Sequence, residues 1–186
     1  MASLDIGKPE MLEWIKANYK EGETCLDVGA CDGKWAKLIN GYLICDAVEV
    51  YTPNITKHGL DGKYREVFNA DIRGLKYNYY DLIIFGDVLE HMTVEEAQEV
   101  LKYAKDHCRD YIVAVPYMWH NRSHYGNPYE VHQQEDLTPE NTLERYPDLM
   151  PRLITERYGY YTKDKRPTCL KNPERREELL ERYKEE

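Results

Sequence analysis

Acidic residues and glycines recur where apolar runs of this sequence end, and their types suit the binding of a nucleotide-like ligand. After the first run, Asp27, Gly29 and Gly33 form a D-x-G-x-x-x-G turn, which differs from the dinucleotide fingerprint G-x-G-x-x-G. Glycine lets the backbone approach a ligand closely, and a helix that begins after the turn favours an anion at its N-terminus. Glu49 ends a second apolar run, at a strand end that we expect to face solvent. A carboxylate there can accept hydrogen bonds from both hydroxyls of a ribose.

Strand and helix patterns alternate along the chain, and these elements must position the acids and glycines. The run 82–85 is apolar without interruption, as expected of a strand buried on both faces of a parallel sheet. Residues 93–107 give the clearest helical pattern, in which Thr93 and Glu96 fit a capping box. Strands are predicted at 24–28, 44–51, 64–69, 81–86 and 111–115, and helices at 8–20, 33–40, 53–58, 93–107 and 138–146.

This alternation predicts an α/β fold with a doubly wound, Rossmann-like, mostly parallel seven-stranded sheet and helices on both faces. A C-terminal antiparallel hairpin, 153–157 and 160–162, is predicted to close the sheet and to be hinged at Gly159. We interpret residues 1–186 as a single domain that ends in a charged helix at 172–186. Ligands bind such sheets beyond the carboxyl ends of the strands. Asp71 and Asp87, which follow the third and fourth strands, are therefore expected at the same edge as Asp27 and Glu49.

Taken together, these motifs resemble those of the class I S-adenosylmethionine-dependent methyltransferases over about residues 12–116. The element Leu89-Glu90-His91 is similar to that of small-molecule members, such as the ubiquinone-biosynthesis and sugar methyltransferases. The resemblance implies S-adenosylmethionine (SAM) as cofactor and S-adenosylhomocysteine (SAH) as product. Cys31 is a departure, because the family often has a glycine there. The implied cofactor-binding residues are Asp27, Gly29, Ala30, Gly33, Glu49, Val50, Asp71, Ile72, Gly86 and Asp87.

The resemblance also implies a role for each segment. The turn after the first strand wraps the methionine part of the cofactor, and Glu49 holds the ribose hydroxyls. Asp71 reaches the adenine amino group, with Ile72 as its apolar neighbour. The segment at Gly86 and Asp87 faces the methionine and the methyl group that is transferred.

Methyl transfer to a hydroxyl benefits from a base, because the proton of the hydroxyl must leave near neutral pH. His91 is the catalytic candidate by its position after the fourth strand, and Asp87 is a second candidate. The alternative is that His91 only caps or packs at the start of the following helix.

Residues 117–136 are polar, aromatic and without sustained periodicity, which is typical of a functional loop. We predict that this segment covers the site and contacts substrate through His120, His124, Tyr125, Tyr129 and His132. The three histidines, with Glu130 and Glu135, also invite a metal-site interpretation. Gly126 to Pro128 argue against a regular helix and no zinc motif matches, so we predict no metal.

Charge and composition narrow the classes of partner. The formal net charge of -9 disfavours duplex DNA or RNA as a bulk partner. Asn127-Pro128-Tyr129 is similar to part of a tetrapeptide used in base methylation, but it follows the fifth strand and lacks the second proline. The five cysteines include no C-x-x-C pair, no run approaches the roughly 20 apolar residues that span a bilayer, and no secretory signal is evident. These features predict a cytoplasmic protein without a membrane partner.

The sequence thus favours a SAM-dependent methyltransferase acting on an oxygen of a small hydroxylated acceptor, such as a sugar or glycan. A methyltransferase acting on a protein or nucleic acid stays open as an alternative. A nucleotide-binding oxidoreductase, or a cofactor-binding protein without catalysis, is a further one. The identity of the acceptor is left open, as is the oligomeric state, homo-oligomers included.

Overall fold

A seven-stranded sheet organises the chain. The computed structural model describes residues 5–121 and 126–163, so the helix predicted at 172–186 lies outside the described residues. No helix within the described part is long and apolar enough to cross a membrane. In chain order the elements are α1 Lys8–Asn18, β1 Thr24–Val28, α2 Lys34–Ile39, β2 Ile44–Val48, α3 Thr52–His58, β3 Val67–Phe68, β4 Tyr80–Gly86, α4 Val94–Asp106, β5 Cys108–Pro116, α5 Pro139–Arg145, β6 Leu149–Ile154 and β7 Tyr158–Lys163.

The strand order is β3-β2-β1-β4-β5-β7-β6, which confirms the predicted doubly wound sheet. Strands β1 to β5 pair in parallel, whereas β7 runs antiparallel to both β5 and β6. The chain reverses its direction of winding between β1 and β4, which are neighbours in the sheet. In open α/β sheets a crevice forms at such a reversal, beyond the carboxyl ends of the strands.

Helices cover both faces of the sheet, as predicted. On one face α1, α2 and α3 bury Met11, Ile15, Trp35, Ile39 and Ile55 in a shared apolar cluster. On the other face α4 and α5 bury Ala97, Val100, Leu101, Ala104 and Leu143. The capping box of α4 is also present, because the Thr93 hydroxyl accepts the Glu96 N–H while the Glu96 carboxylate accepts the Thr93 N–H.

The C-terminal hairpin is present, but its predicted hinge is wrong. Gly159 lies inside β7 rather than in the turn, and a Cβ built on it would overlap the ring of Tyr117. Its small size is therefore needed for packing. Strand β6 begins earlier than predicted, at Leu149, and includes Pro151 beside a register shift. Proline is tolerated there because β6 is the edge strand of the sheet.

Strands β2 and β3 are shorter than predicted. The stretch before β3 is held by backbone hydrogen bonds to β2 and also by side chains, because Tyr64 donates to the Asp27 carboxylate and Arg65 pairs with Asp46. As β2 ends at Val48, Glu49 directly follows the last residue of the ladder. This position places the Glu49 carboxylate next to the turn after β1.

Candidate active site

A cleft opens to solvent at the carboxyl ends of β1, β2 and β4, and it encloses about 910 Å³ of empty space when the open solvent at its mouth is included. The cleft brings together most residues proposed from the sequence. The predicted residues that line it are Gly29, Ala30, Glu49, Val50, Asp71, Ile72, Gly86, Asp87, His91 and Tyr129.

The turn after β1 comes close to the cleft because its glycine has no side chain. Gly29 has φ 71°, and a Cβ built on it would lie 2.7 Å from Cγ2 of Val88. Its N–H donates to the carbonyl of Val48, which ties the turn to β2. Cys31 has φ 47°, so this departure from the family pattern keeps a backbone conformation that favours glycine. Gly33 caps the start of α2 and does not line the cleft.

Glu49 is buried, with 4 % of its surface exposed, so the expectation of a solvent-facing strand end is wrong. Its Oε2 accepts the N–H of Cys31 and its Oε1 accepts the N–H of Tyr51, both at 2.8 Å. The reason is local: two turns place backbone donors over the end of β2. A carboxylate has about four lone-pair positions, so Glu49 keeps capacity for a ligand that enters the cleft.

Asp27 does not line the cleft but lies buried behind it. Its carboxylate accepts a short hydrogen bond from the Tyr64 hydroxyl. Burial raises the pKa of Asp27 to about 7, against the opposing effect of that hydrogen bond. Asp27 therefore acts on the site through the turn that follows it.

Asp71 lines the cleft on the side of β3 and is held by Arg73. The guanidinium of Arg73 lies 2.6 Å from one Asp71 oxygen and also reaches Glu96 at 2.9 Å. The hydrogen bonds from Arg73 lower the pKa of Asp71. No motif in the sequence marks Arg73, because its two partners come from separate segments.

Trp35 is a cleft residue that sequence reasoning missed. Its indole Nε1 is buried and has no hydrogen-bond partner among the described residues. A Cβ built on Gly86 would lie only 2.5 Å from that nitrogen, so the glycine makes room for the ring. Trp35 falls on the apolar face of α2 and carries no motif, so nothing in the sequence distinguishes it from an ordinary core residue. A buried donor without a protein partner indicates space for a ligand acceptor.

The turn after β4 forms the third wall of the cleft. Asp87 has φ 57° and donates its N–H to the carbonyl of Ala114. His91 ends a short 3₁₀ turn, Leu89–His91, and its Nδ1 lies 3.3 Å from the carbonyl of Val131. Burial lowers the pKa of His91 to about 4. Next to it, burial and the nearby Asp87 raise the pKa of Glu90. Thr93 caps the following helix, so His91 does not.

Part of the predicted covering segment lies against this wall. Asn127, Tyr129 and Glu130 line the cleft, and the Asn127 side chain caps the 3₁₀ turn Pro128–Glu130. Tyr51 donates its hydroxyl to the carbonyl of Gly126 at 2.9 Å, which connects this wall to the Glu49 side.

The predicted substrate residues that the structure describes do not all line the cleft. His120 is exposed, pairs with Glu135 and does not line the cleft. His132 packs edge-on against His91, with ring centroids 4.7 Å apart. Tyr129 alone of the described candidates lines the cleft. His124 and Tyr125 lie outside the described residues.

Solved structures that are similar to this chain include methyltransferases. No protein-family model matches the sequence, and no curated protein matches it. A SAM-dependent methyltransferase from Clostridium acetobutylicum is similar with TM-score 0.65 and 12% identity, covering 86% of this chain and 91% of that one. A DhpI–SAH complex has TM-score 0.67 and 14% identity over 87% of this chain and 86% of that one. At such identities the likeness shows the fold alone.

A third similar structure is the magnesium protoporphyrin IX methyltransferase ChlM from Synechocystis with bound SAM. Its TM-score is 0.60 at 14% identity, and the match covers 83% of this chain and 76% of that one.

Proposed function

We propose that this chain, which has the fold of the class I SAM-dependent methyltransferases, transfers a methyl group from SAM to an oxygen of a small hydroxylated acceptor such as a sugar or glycan. The observation that carries the proposal is that one cleft unites the glycine turn after β1, Glu49, Asp71 and the turn after β4. The cleft residues therefore offer separate contacts for a ribose, a base and a reacting group.

The residues present fit the cofactor. Gly29 and Gly86 leave space that a side chain would fill, and the buried Trp35 Nε1 offers a donor. In this proposal Glu49 holds the ribose, while Asp71 and Ile72 contact the adenine. SAM supplies, when bound, a methyl group already activated on a sulfonium. The protein must then chiefly align the acceptor oxygen with that methyl group and exclude water.

The acceptor end of the cleft is lined by polar and aromatic side chains. Tyr129 offers a ring face, and beside it the Asn127 amide donates to the Glu130 carboxylate at 3.3 Å, which leaves polar side chains at this edge of the cleft. A ring that carries several hydroxyls can both pack on tyrosine and bond to such groups. These contacts support the choice of a hydroxylated acceptor.

His91 and Asp87 are the proposed groups at the reacting end. With its pKa near 4, the His91 imidazole is neutral at pH 7 and has a lone pair to offer the acceptor hydroxyl. Such an imidazole is a weak base toward a free hydroxyl. The hydroxyl becomes strongly acidic, however, as its oxygen bonds to the methyl carbon, so a weak base suffices late in the transfer.

The test is formation of SAH from SAM in the presence of a panel of sugars, glycans and other hydroxylated metabolites. We expect turnover with a member of this panel, a loss of about 10²–10⁴-fold in His91→Ala, and unchanged turnover in the control His120→Ala. Turnover only with bulk protein or RNA would support a macromolecular acceptor instead and contradict the proposal.

A further inference from the structure

Three side chains of the types that bind metals lie together beside the cleft: Glu90, His91 and His132. One potential ligand atom from each lies within 4.8 Å of the others. The two imidazole rings are nearly perpendicular, at 84°. His132 comes from a segment some forty residues further along the chain. The cluster is thus a product of the fold rather than of a local motif.

In both imidazoles Nδ1 has a hydrogen-bond partner, whereas Nε2 has none among the described residues. Nδ1 of His91 lies 3.3 Å from the carbonyl of Val131, and Nδ1 of His132 lies 2.9 Å from the carbonyl of Trp119. A carbonyl oxygen only accepts, so in each ring Nδ1 is the donor and Nε2 carries the lone pair. Metal-binding histidines characteristically have their second nitrogen fixed in this way by a backbone carbonyl or carboxylate.

Glu90 adds a carboxylate that needs a partner. Only 1 % of the residue is exposed, and neither carboxylate oxygen has a hydrogen-bond partner among the described residues. No ion pair to Glu90 occurs in that part of the chain either. A buried carboxylate without a donor or cation is costly, and a bound cation would offset that cost.

The two segments that carry the cluster are fastened to each other. The N–H groups of Gln133 and Gln134 both donate to the carbonyl of Glu90. The Gln134 side chain also donates to the carbonyls of Leu89 and Met92, at 2.8 and 3.1 Å. The Gln133 side chain donates as well, to the carbonyl of His91 at 3.0 Å. These hydrogen bonds hold His132 beside the Glu90–His91 turn, which limits the entropy lost when a ligand binds.

We propose that Glu90, His91 and His132 bind one divalent transition-metal ion of the Zn²⁺ type. Two imidazoles and one carboxylate are a ligand set of known zinc sites, with ligand distances of about 2.0–2.2 Å. Ligand atoms around such an ion lie roughly 3.4 Å apart. The three ligand atoms lie within 4.8 Å of one another, so they must approach by at most about 1.4 Å, which small side-chain rotations allow. Because His91 lines the cleft, the ion would lie at its reacting end. With the Nε2 lone pair of His91 bound to the ion, the ion would replace His91 in activating the acceptor hydroxyl, by lowering the pKa of that hydroxyl. This use rests on the proposed function, whereas binding of the ion does not.

The test uses Zn²⁺ and Co²⁺ alone, on the full chain without an affinity tag. We expect calorimetry to show one Zn²⁺ per chain and Co²⁺ to give the visible absorption of a four- or five-coordinate site. Glu90→Gln, which keeps the shape of the side chain, should weaken Zn²⁺ binding at least 10-fold. His132→Gln is the second ligand variant, and His120→Gln, which changes an exposed histidine, is the matched control with wild-type affinity.

Wild-type protein that binds no stoichiometric Zn²⁺ would overturn the proposal without any variant. So would Zn²⁺ binding that Glu90→Gln and His132→Gln leave unchanged, or that His120→Gln removes. SAH binding is measured on the same samples. Zn²⁺ binding without SAH binding would contradict the proposed function but support the metal site. SAH binding without Zn²⁺ binding would contradict the metal site but leave the proposed function standing.

Discussion

The carboxylate of Glu49 accepts the backbone N–H of Cys31 at 2.8 Å, so the residue after β2 holds the turn after β1. Cys31 has φ 47° in that turn, and Gly29 before it has φ 71°. Two left-handed residues so close together need a partner that fixes them, and Glu49 provides it. The acid proposed to bind ribose therefore also shapes the neighbouring wall of the cleft.

Replacing Glu49 should affect SAH binding through both roles. We expect Glu49→Ala to weaken SAH binding by about 10- to 100-fold, because charge-assisted hydrogen bonds are worth about 1.5–3 kcal/mol. Glu49→Gln keeps one acceptor oxygen for the turn, so it should lose less SAH affinity than Glu49→Ala. Calorimetry measures both, with Asp61→Asn as an exposed control. An affinity that neither Glu49 variant changes would remove this residue from the cofactor site.

Gly29 and Gly59 form a matched pair for testing the glycine turn. Both have positive φ, but a Cβ on Gly29 would lie 2.7 Å from Val88, whereas one on Gly59 would have no neighbour within 4 Å. Gly29→Ala and Gly59→Ala thus share the backbone strain and differ in the contact. We expect only Gly29→Ala to abolish SAH binding while both variants remain folded by circular dichroism. Equal SAH affinity in the two variants would contradict the first-turn assignment.

Asp27 should make stability depend on pH. Folded Asp27 keeps its proton up to about pH 7, whereas an unfolded aspartate releases it near its usual pKa of 3.8. Between these values the folded state binds the extra proton, so this residue makes the free energy of unfolding fall as pH rises from about 4 to 7. Each unit of separation corresponds to about 1.4 kcal/mol.

Urea unfolding of wild type and Asp27→Asn at several pH values checks this expectation. The asparagine variant should show a smaller loss of stability across that window. Tyr64→Phe, which removes the donor to the carboxylate, should extend the loss to higher pH, because that hydrogen bond lowers the pKa. Parallel pH profiles for wild type and Asp27→Asn would show that the carboxyl is not perturbed.

Tyr129 should act on the acceptor rather than on the cofactor. Tyr129 lines the cleft at the end that we propose for the acceptor and is 42% exposed, so Tyr129→Ala should leave stability and SAH affinity unchanged. We expect the KM for the acceptor to rise about 10-fold or more, the scale of a lost aromatic contact of ~1.5 kcal/mol. His120→Ala should leave that KM unchanged. The reverse pattern would move the acceptor toward the exposed His120–Glu135 pair.

Local signals predicted most of the sheet, whereas contacts between distant segments were not predictable. The apolar run 82–85 and the Thr93–Glu96 capping box depend on neighbours along the chain, and both predicted elements are confirmed. We predicted a turn at Gly159 because glycine is common in turns. Glycine is needed there instead because the ring of Tyr117, from another segment, packs onto β7 and leaves no room for a side chain.

In the cleft, too, local signals were predictable and contacts between distant segments were not. Glu49 and Asp71 each follow a predicted strand, and parallel strands have their carboxyl ends on the same side of the sheet. The sequence therefore predicted both acids at one edge, where they line the cleft. The contact of Arg73 with Glu96, in addition to its neighbour Asp71, and the packing of His132 against His91 depend on how loops return across that edge. No spacing in the sequence encodes such returns.

The most direct test of the central claim is a calorimetric titration of wild-type protein with SAH, alongside a thermal-shift titration with SAH and with NAD. We predict one SAH per chain, and a rise in melting temperature that grows with SAH concentration, by about 2.7 kcal/mol of stabilisation at 100 times Kd. NAD should give no shift. A melting temperature raised by NAD and unmoved by SAH would contradict the account.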